Sequence, residues 1–502
     1  MPTRKSPSGK QNVAQSLFGG LPTGPTGRHI VVMRPEGSKA LVQSLQNTAG
    51  LKVAHSADFE NAVVRDSDLA GNNALILEHL GLAVVDADPS QCQSLQMAIA
   101  DESNPVLSIE PELFVIPYSE FEGEPGEGRL EEALLTPAGR EYLRGYSDAI
   151  QGLSNRLLGT AELEGAMEAA ATFADSTTLT WGLQATRADK SRLSGSGIRV
   201  AVLDTGLDFK HPDFTGRSII SASFVPGVAT AQDGHGHGTH CIGTSCGPKS
   251  PPPSGTSRRY GIAHLATILV GKVLDDQGSG QTGWILAGIN WAIQNKAVVI
   301  SMSLGSPVKV GDKYSFYYEQ TALTALNNNC VIIAAAGNSG QHPQYYPVAS
   351  PANCPSVMGV GALDVNLKHA PFSCIGVNPL GGEVNIAAPG VGVFSSTKMP
   401  TRYAVMSGTS MATPHVAGCA ALLAQWTGLR GRSLWRRVES MARAIGIPVE
   451  QAGAGLAQAA SGALVVRPVP FPKPIARPVP LPISSDSSSD FPAPATPEPI
   501  EA

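Results

Sequence analysis

Two apolar segments of this chain are each followed by a polar side chain suited to chemistry. Residues 198–203 are mainly apolar and precede Asp204, and residues 331–336 are apolar throughout and lead to Asn338. Short runs rich in Val and Ile are typical of parallel strands that are buried on both faces. Open α/β sheets place their sites at the carboxyl ends of such strands. The sequence therefore predicts an α/β fold, with Asp204 at one strand end and a lone amide beyond another.

A third segment places a serine at the start of a helix. Residues 408–418 are Gly-Thr-Ser-Met-Ala-Thr-Pro-His-Val-Ala-Gly, a turn followed by a run that opens a helix. The first N–H groups of a helix have no partner within it and favour negative charge. Ser410 would therefore have a backbone donor for an oxyanion beside it. Because a serine hydroxyl is a weak nucleophile, it also needs a base and a group that orients the base.

A histidine-rich segment can supply that base. Residues 233–240 are Asp-Gly-His-Gly-His-Gly-Thr-His. Together with residues 195–206, 331–340 and 408–418, this segment resembles the motifs of the subtilisin-like serine proteases. The segments also follow that family's chain order of Asp, His and Ser.

The resemblance assigns a role to each of four residues. It implies that Ser410 is the nucleophile and that His237 is the general base. Asp204 would fix the tautomer of the imidazole and stabilise the imidazolium. Asn338 would be the side-chain donor of the oxyanion hole, with the Ser410 N–H as the second donor.

The same resemblance implies a fold and a substrate cleft. The fold is a doubly wound, mainly parallel sheet with helices on both faces. An extended substrate would pair as an added strand with two flanking segments, above a floor of small residues. The expected substrate-binding residues are Gly278, Ser279, Gly280, Ser303, Leu304, Gly305, Ala335, Ala336 and Gly337. The small apolar floor predicts a broad or apolar primary specificity, and Thr282, where many relatives have an aromatic residue, predicts a more open distant subsite.

The histidines also allow a different interpretation. The spacing of His235, His237 and His240 resembles the metal-binding segment of metallo-β-lactamase-type hydrolases, and three imidazoles can hold zinc. However, Thr239 stands where that segment has an aspartate, and no second cluster of His and carboxylates follows. A zinc-dependent hydrolase is therefore the weaker alternative. A catalytically silent scaffold is another, which the presence of all three triad residues argues against.

Composition and motif placement divide the chain into five segments. Residues 1–27 and 465–502 are rich in Pro, Gly or Ser and are predicted to be disordered, the latter as a Pro/Ser-rich tail. Residues 119–175 are acidic and contain no Lys, which indicates a linker. Residues 176–464 form the predicted catalytic domain, and residues 28–118 alternate strand and helix patterns.

The segment 28–118 carries a resemblance of its own. Residues 81–85 and 107–111 are similar to parts of the small, ferredoxin-like α+β propeptide that chaperones and inhibits subtilisin-like proteases. This implies a zymogen whose propeptide is an intramolecular inhibitor. We expect the last strand, near Leu113 to Tyr118, to lie in the substrate cleft as a product would, and cleavage between 117 and 176 to accompany activation.

Charge and composition limit the remaining classes. The net charge of -5 gives no indication of nucleic-acid binding, and no apolar stretch approaches the ~18 residues of a membrane span. Protein or peptide substrates and a monomer are expected. Residues 1–27 lack the apolar region of a signal peptide, which predicts the cytoplasm, or export by a non-classical route. The odd number of cysteines, 7, indicates buried free thiols rather than a disulfide framework.

No cofactor is expected to be required. Asp213 resembles an aspartate with which relatives often bind calcium. Relatives also use an Asn-bearing loop, whereas residues 247–255 lack the Asn pattern and include Lys249. Because calcium needs several oxygen ligands, this chain is not expected to depend on it at that position.

Overall fold

The computed structural model describes residues 22, 24–34, 38–56, 72–118, 120–122, 173–252, 258–341, 346–378 and 381–462. All of these belong to a single compact unit that ends at Gly462. The predicted tail, most of the predicted acidic linker and nearly all of residues 1–27 lie outside the described residues.

The chain begins with a mainly antiparallel sheet that has two helices on one face. The elements are β1 (Pro25–Met33), α1 (Ser38–Ala49), β2 (Val53–His55), β3 (Ala74–Leu77), β4 (Leu82–Val85), α2 (Pro89–Ile99) and β5 (Val106–Pro117). β1 lies between β5 and β4, β4 pairs with β3, and β2 joins β3 in parallel. Helix α2 begins where Asp88 accepts the N–H groups of Ser90 and Gln91, which stabilises its first turn. We refer to residues 24–118 as the N-terminal sheet.

The larger part of the chain is built on a parallel sheet. Its strands are β7 (Arg199–Asp204), β8 (Ile219–Ser223), β9 (Thr267–Lys272), β11 (Val299–Met302), β13 (Val331–Ala335), β14 (Met358–Leu363) and β15 (Ile386–Pro389). Their order across the sheet is β15-β14-β13-β11-β7-β9-β8, and every neighbouring pair is parallel. Shorter strands are β6 (Glu120–Glu122), β10 (Gly280–Gln281), β12 (Leu304–Gly305), β16 (Val393–Ser396) and β17 (Tyr403–Ser407).

Helices cover both faces of the parallel sheet. They are α3 (Trp181–Ala185), α4 (His237–Cys246), α5 (Thr282–Gln294), α6 (Phe316–Asn327), α7 (Thr409–Thr427), α8 (Gly431–Met441) and α9 (Val449–Ala452). Alternate residues of β7 enter different cores, as a strand buried on both faces requires. Val202 lies in the core that also contains residues of α4, α7 and α8, whereas Leu203 lies in the core that contains residues of α5 and α6. The doubly wound α/β fold predicted from the sequence is confirmed.

The N-terminal sheet also has two buried faces. Val31 packs with Leu45 of α1 and Leu95 of α2, whereas its neighbours Ile30 and Val32 share a core with α5 and α6. One face is therefore covered by its own helices and the other by helices of the parallel-sheet part.

Two findings concern the chain as a whole. None of the seven cysteines, all of which lie in the described residues, forms a disulfide, and six of them are buried, as predicted. Among the described residues, no helix is long and apolar enough to cross a membrane.

Candidate active site

The structure brings Asp204 and His237 into direct contact. Asp204 is the last residue of β7, and His237 is the first residue of α4. His237 Nδ1 lies 2.7 Å from Asp204 Oδ1, and both side chains are buried. The second carboxylate oxygen of Asp204 has no partner among the described residues. The Asp204–His237 pair is the arrangement that orients an imidazole for proton transfer.

A neighbouring aspartate holds the pair in place. Asp233 is buried, and its Oδ1 accepts the Thr205 hydroxyl at 2.9 Å and the N–H groups of His235 and Gly236. Its Oδ2 accepts both the N–H and the hydroxyl of Thr239, at 2.9 and 2.7 Å. One carboxylate thus joins the end of β7 to the start of α4. This role of Asp233 was not predicted from the sequence, although a carboxylate just before a helix is a recognisable signal.

The electrostatic environment favours a charged His237. Burial lowers the pKa of His237, but the charge of Asp204, the neighbouring Cys241 and the hydrogen bond to Asp204 together outweigh burial and hold the pKa well above its usual value. The other two histidines of the segment behave differently. Burial lowers the pKa of His240 to about 3, and burial also lowers the pKa of His235. Within this segment, His237 is the histidine whose pKa lies above its usual value.

Ser410 lies at the second position of α7, beside β11 and the end of β5. Its Oγ donates to the Ser303 carbonyl oxygen at 3.0 Å and accepts the N–H of Tyr118 at 2.9 Å. His237 Nε2 has no hydrogen-bond partner among the described residues. The hydroxyl that His237 would deprotonate is therefore occupied by the N-terminal sheet's last residue.

One predicted donor of the oxyanion hole contacts the Tyr118 carbonyl, and the other predicted donor, Asn338, is held beside Ser410 through Thr409. The Ser410 N–H donates to the Tyr118 carbonyl oxygen at 3.2 Å. Asn338 follows β13, and its Oδ1 accepts the N–H and hydroxyl of Thr409 at 3.0 and 2.9 Å. Because both bonds use the amide oxygen, the Asn338 side chain offers its amide nitrogen as a donor.

The last residues of β5 lie between two short strands, β10 and β12, and pair with both of them. Val115 pairs antiparallel with Gly280 of β10, and Ile116 pairs antiparallel with Gly305 of β12. The Tyr118 N–H lies 3.4 Å from the Ser303 carbonyl oxygen. The segments predicted to flank a substrate therefore flank a piece of this chain.

Individual residues of the predicted cleft have distinct positions. Gly278 lies beside the Pro117 ring, because a Cβ added to Gly278 would be 3.4 Å from that ring. Ser279 forms a turn with Asp275. Ala335 packs against Tyr118, whereas Ala336 lies in the core shared with α5 and α6. The remaining predicted residues lie along this path as follows: Leu304 pairs with Pro117, and Gly337 N–H donates to the Thr409 hydroxyl.

The subsite beside Thr282 is occupied by the backbone of β5. The Thr282 hydroxyl lies 3.1 Å from the Leu113 carbonyl oxygen and 3.3 Å from its N–H. The Ser306 hydroxyl donates to the Phe114 carbonyl oxygen at 2.6 Å. The hydroxyls of Thr282 and Ser306 therefore add hydrogen bonds to the β5 backbone beyond those made by β10 and β12.

Beyond Tyr118 the chain pairs with a further strand. β6 pairs antiparallel with β17, with Glu120 opposite Ser407 and Glu122 opposite Val405. The polypeptide thus runs across the serine with strand pairing both before and after it.

Carboxylates fasten the N-terminal sheet to the parallel-sheet part. Glu112 of β5 is fully buried, accepts the Gly283 N–H in the first turn of α5 at 2.8 Å, and forms a 2.7 Å ion pair with Arg28. Glu110 accepts the Phe316 N–H at the start of α6 at 3.2 Å. Negative charge at a helix N-terminus is favourable, so β5 stabilises both helices that it covers.

The histidine cluster does not form a zinc site in this structure. His240 Nε2 lies 3.0 Å from the Val393 carbonyl oxygen and 3.2 Å from that of Ala404, facing away from His237. Among the described residues, the group with ligand atoms close enough to share a metal is Asp204, His237 and Cys241, not the three histidines. The first two of these are already joined to each other.

The donors around Asp213 do not fit calcium. Asp213 is buried and accepts the Tyr260 hydroxyl at 2.5 Å, the Tyr403 hydroxyl at 3.0 Å and an Arg402 N–H at 3.2 Å. Calcium requires oxygen ligands with free lone pairs, whereas these partners point hydrogen atoms and a positive charge at the carboxylate. We call Asp213, Arg402, Tyr260 and Tyr403 the Asp213 cluster.

A doubly wound parallel sheet with Asp204, His237 and Ser410 gathered at one edge defines a subtilisin-like protein. Residues 195–444 match the model of the subtilase family, Peptidase S8. The chain belongs to the subtilase family.

Individual relatives agree with this assignment. Over 258 residues the chain is 40% identical to Subtilisin NAT of Bacillus subtilis subsp. natto, covering 50% of this chain and 62% of that protein. It is 37% identical to Subtilisin DY of Bacillus licheniformis over 273 residues, covering 54% and 93%. It is 41% identical to Subtilisin Savinase of Lederbergia lenta over 260 residues, covering 50% and 88%. The chain thus spans less than two thirds of the length of the first of these relatives.

Proposed function

We propose that this protein is a serine endopeptidase acting on proteins or peptides through Asp204, His237 and Ser410. The observation that carries the proposal is the contact between Ser410 and a peptide segment of the chain itself. The Tyr118 carbonyl oxygen accepts the Ser410 N–H while β5 occupies the cleft as an added strand. Family membership and the Asp204–His237 contact support the same activity.

Each group has a defined part in this chemistry. His237 Nε2 takes the proton of the Ser410 hydroxyl as Oγ attacks the carbonyl carbon of the substrate. The Asn338 amide and the Ser410 N–H stabilise the oxyanion that forms. When the carbon–nitrogen bond breaks, His237 returns its proton to the leaving amine. Water then attacks the acyl-enzyme by the same route and releases the acid, while Asp204 holds the imidazole throughout.

We further propose that the N-terminal sheet is an inhibitory propeptide and that the bond cut during maturation is Tyr118–Ser119. Tyr118 is the residue whose carbonyl lies against Ser410, and β6 begins immediately beyond Ser119. The caps that Glu110 and Glu112 provide to α6 and α5 explain how the sheet would be held. A primary pocket lined by Ala335 and Ala349 supports an apolar or aromatic preference.

The test compares the wild-type chain with Ser410→Ala. The wild type should yield a fragment that ends at Tyr118, identified by mass spectrometry, and should hydrolyse peptides. The Ser410→Ala chain should fold, stay full length and lack peptidase activity. Ser306→Ala is a matched control, because it removes a serine hydroxyl that binds β5 outside the reacting atoms. Peptide hydrolysis by the Ser410→Ala chain at a near wild-type rate would refute the proposal.

A further inference from the structure

A buried lysine lies opposite Asp204 in the parallel sheet. Lys272, the last residue of β9, pairs with Asp204 of β7, and its amine donates to the Thr205 carbonyl oxygen at 2.6 Å. The same amine forms a 2.6 Å ion pair with Asp276, in the turn that leads to β10. Because a buried cation needs a partner, Lys272 holds the Asp276 carboxylate against the end of β7.

Asp276 also binds the segment that carries His237. Its Oδ1 accepts the Gly234 N–H at 3.1 Å, and the contact leaves no room for a Cβ on Gly234. The Gly234 carbonyl oxygen accepts the amine of Lys398, which lies between β16 and β17. Charged side chains from two different loops therefore hold both polar groups of Gly234, three residues before His237.

A different aspartate fixes the shape of the turn itself. Asp275 Oδ1 accepts the N–H groups of Gln277 and Ser279 at 2.9 and 2.8 Å, and the Asp275 N–H donates to the Ser279 carbonyl oxygen at 2.8 Å. These bonds lie within the turn that presents Gly280 to β5. The hydrogen bonds of Asp276 leave the turn instead, so they connect it to other parts of the molecule.

We propose, on the basis of the proposed function, that Asp276 is a positioning residue that couples the pairing of a substrate with β10 to the alignment of His237. A peptide paired with Gly280 holds the turn in place, and Asp276 then holds Gly234 and the segment that follows it. Asp276 touches no reacting atom. Because proton transfer requires a closely aligned base, loss of this link slows the reaction without removing the backbone bonds that bind the peptide.

The charge of Asp276 is present throughout the range in which His237 can act. Burial raises the pKa of Asp276, but the hydrogen bond and the charge of Lys272 outweigh burial and hold the pKa below its usual value. Replacing Asp276 by Asn keeps the size of the side chain and removes this charge. The substitution leaves Lys272 with a weaker partner and leaves the turn bonds of Asp275 in place.

The first experiment compares two peptides as substrates of the processed enzyme. A peptide with the sequence of residues 111–122 includes Phe114 and Val115, which pair with β10, whereas residues 116–122 lack them. The wild type should have the higher kcat for the longer peptide. Asp276→Asn should lower that kcat about tenfold, lower kcat for the shorter peptide less than about twofold, and change KM less than about threefold.

Asp175→Asn is the matched control. Asp175 also pairs with a cation, Arg258 at 2.8 Å, and accepts one backbone N–H, that of Trp181 at 2.7 Å. The control removes the same charge from the same kinds of partner, outside the turn and outside residues 233–237. It should leave the ratio of the two kcat values unchanged. If Asp276→Asn also leaves this ratio unchanged, or raises KM alone, the proposal is overturned, because Asp276 would then support only the turn.

A second experiment does not depend on peptidase activity. In the full-length Ser410→Ala chain, Asp276→Asn should speed amide hydrogen exchange in residues 234–238 about tenfold, and Asp175→Asn should leave that exchange unchanged. Equal exchange in these residues with and without Asp276→Asn would refute the link to the His237 segment. A complete lack of peptide hydrolysis by the wild type would refute only the proposed function, and the exchange measurement would still decide whether the link exists.

Discussion

The N-terminal sheet and the parallel sheet both have two buried faces, but they cover them differently. The strands of the parallel sheet lie between helices from residues 173–462, the same part of the chain. The N-terminal sheet covers one face with α1 and α2 and places the other on α5 and α6. Burial of apolar surface is the main favourable term in folding. The docked state of the N-terminal sheet therefore depends on its neighbour, whereas the parallel sheet has its own helices on both sides.

The difference also separates two kinds of contact with the cleft. The parallel-sheet part supplies the groups that could react, namely Asp204, His237, Ser410 and Asn338. The N-terminal sheet supplies the segment that fills the cleft and the carboxylates that cap the supporting helices. Substitutions in the parallel-sheet part should therefore change the rate of the reaction. Substitutions in the N-terminal sheet should change how much of the time β5 occupies the cleft.

Asn338→Ala should have the largest effect and should act on chemistry alone. Loss of the amide donor should lower kcat by about 10²–10³, the size known for one oxyanion-hole donor in a subtilisin, and barely change KM. Steady-state peptide kinetics on the processed enzyme provide the measurement. A change confined to KM would contradict the assignment of Asn338.

Glu112→Ala should change only the occupancy of the cleft by β5. It removes a buried carboxylate that binds Arg28 and the start of α5, which should weaken docking of the N-terminal sheet by about 2–3 kcal/mol. Hydrogen exchange in β5 of the Ser410→Ala chain measures this change. Glu78→Ala is the control, because Glu78 is half-exposed and lies 4.0 Å from His55. Equal effects of the two substitutions would show that Glu112 does not hold the sheet.

The pH dependence of activity should follow His237. Its pKa is held well above the usual value, because the charge of Asp204 outweighs burial, and only the neutral imidazole can act as a base. Peptide hydrolysis should therefore fall as pH decreases through this raised pKa. A profile of kcat/KM against pH measures the midpoint. A midpoint below about 6.5, the usual pKa of histidine, would contradict this expectation.

The same shift has a consequence for stability. A raised folded-state pKa stabilises the fold fully below the unfolded pKa of about 6.5. That contribution is lost as pH rises through the raised pKa of His237. The free energy of unfolding of the Ser410→Ala chain should therefore decline over this range, and it should decline less when Asp204 is also replaced by Asn.

The smallest effect is expected at the Asp213 cluster. Because its carboxylate is already surrounded by donors, calcium should act equally on the wild type and on Asp213→Asn. Thermal unfolding with calcium and with a chelator tests this. A calcium-dependent rise in Tm that is present in the wild type and lost in Asp213→Asn would show that Asp213 binds the ion.

The fold was predictable from local patterns, because the apolar runs of β7 and β13 and the motifs around them are contiguous in the chain. The contact between Asp204 and His237 follows from the same motifs. The role of Asp233 was not predicted, since its hydrogen bonds depend on how β7 and α4 meet. Likewise, Thr282 suggested only an open subsite, whereas its hydroxyl binds the backbone of Leu113. Pairing between residues so far apart leaves no local signal in the sequence.

Strand β5 pairs both with its own sheet and with strands of the parallel-sheet part, and this affects when activity would appear after cleavage. One end of this strand is an internal part of its own sheet, beside β1, and the other end pairs with β10 and β12. Cutting the chain after Tyr118 breaks none of these backbone pairings. The new carboxyl terminus would stay where it was made, and bond cleavage and the appearance of activity would be separate events. A lag between them, whose length is set by release of the strand, would let the protein be made, cut and moved before it acts on anything else.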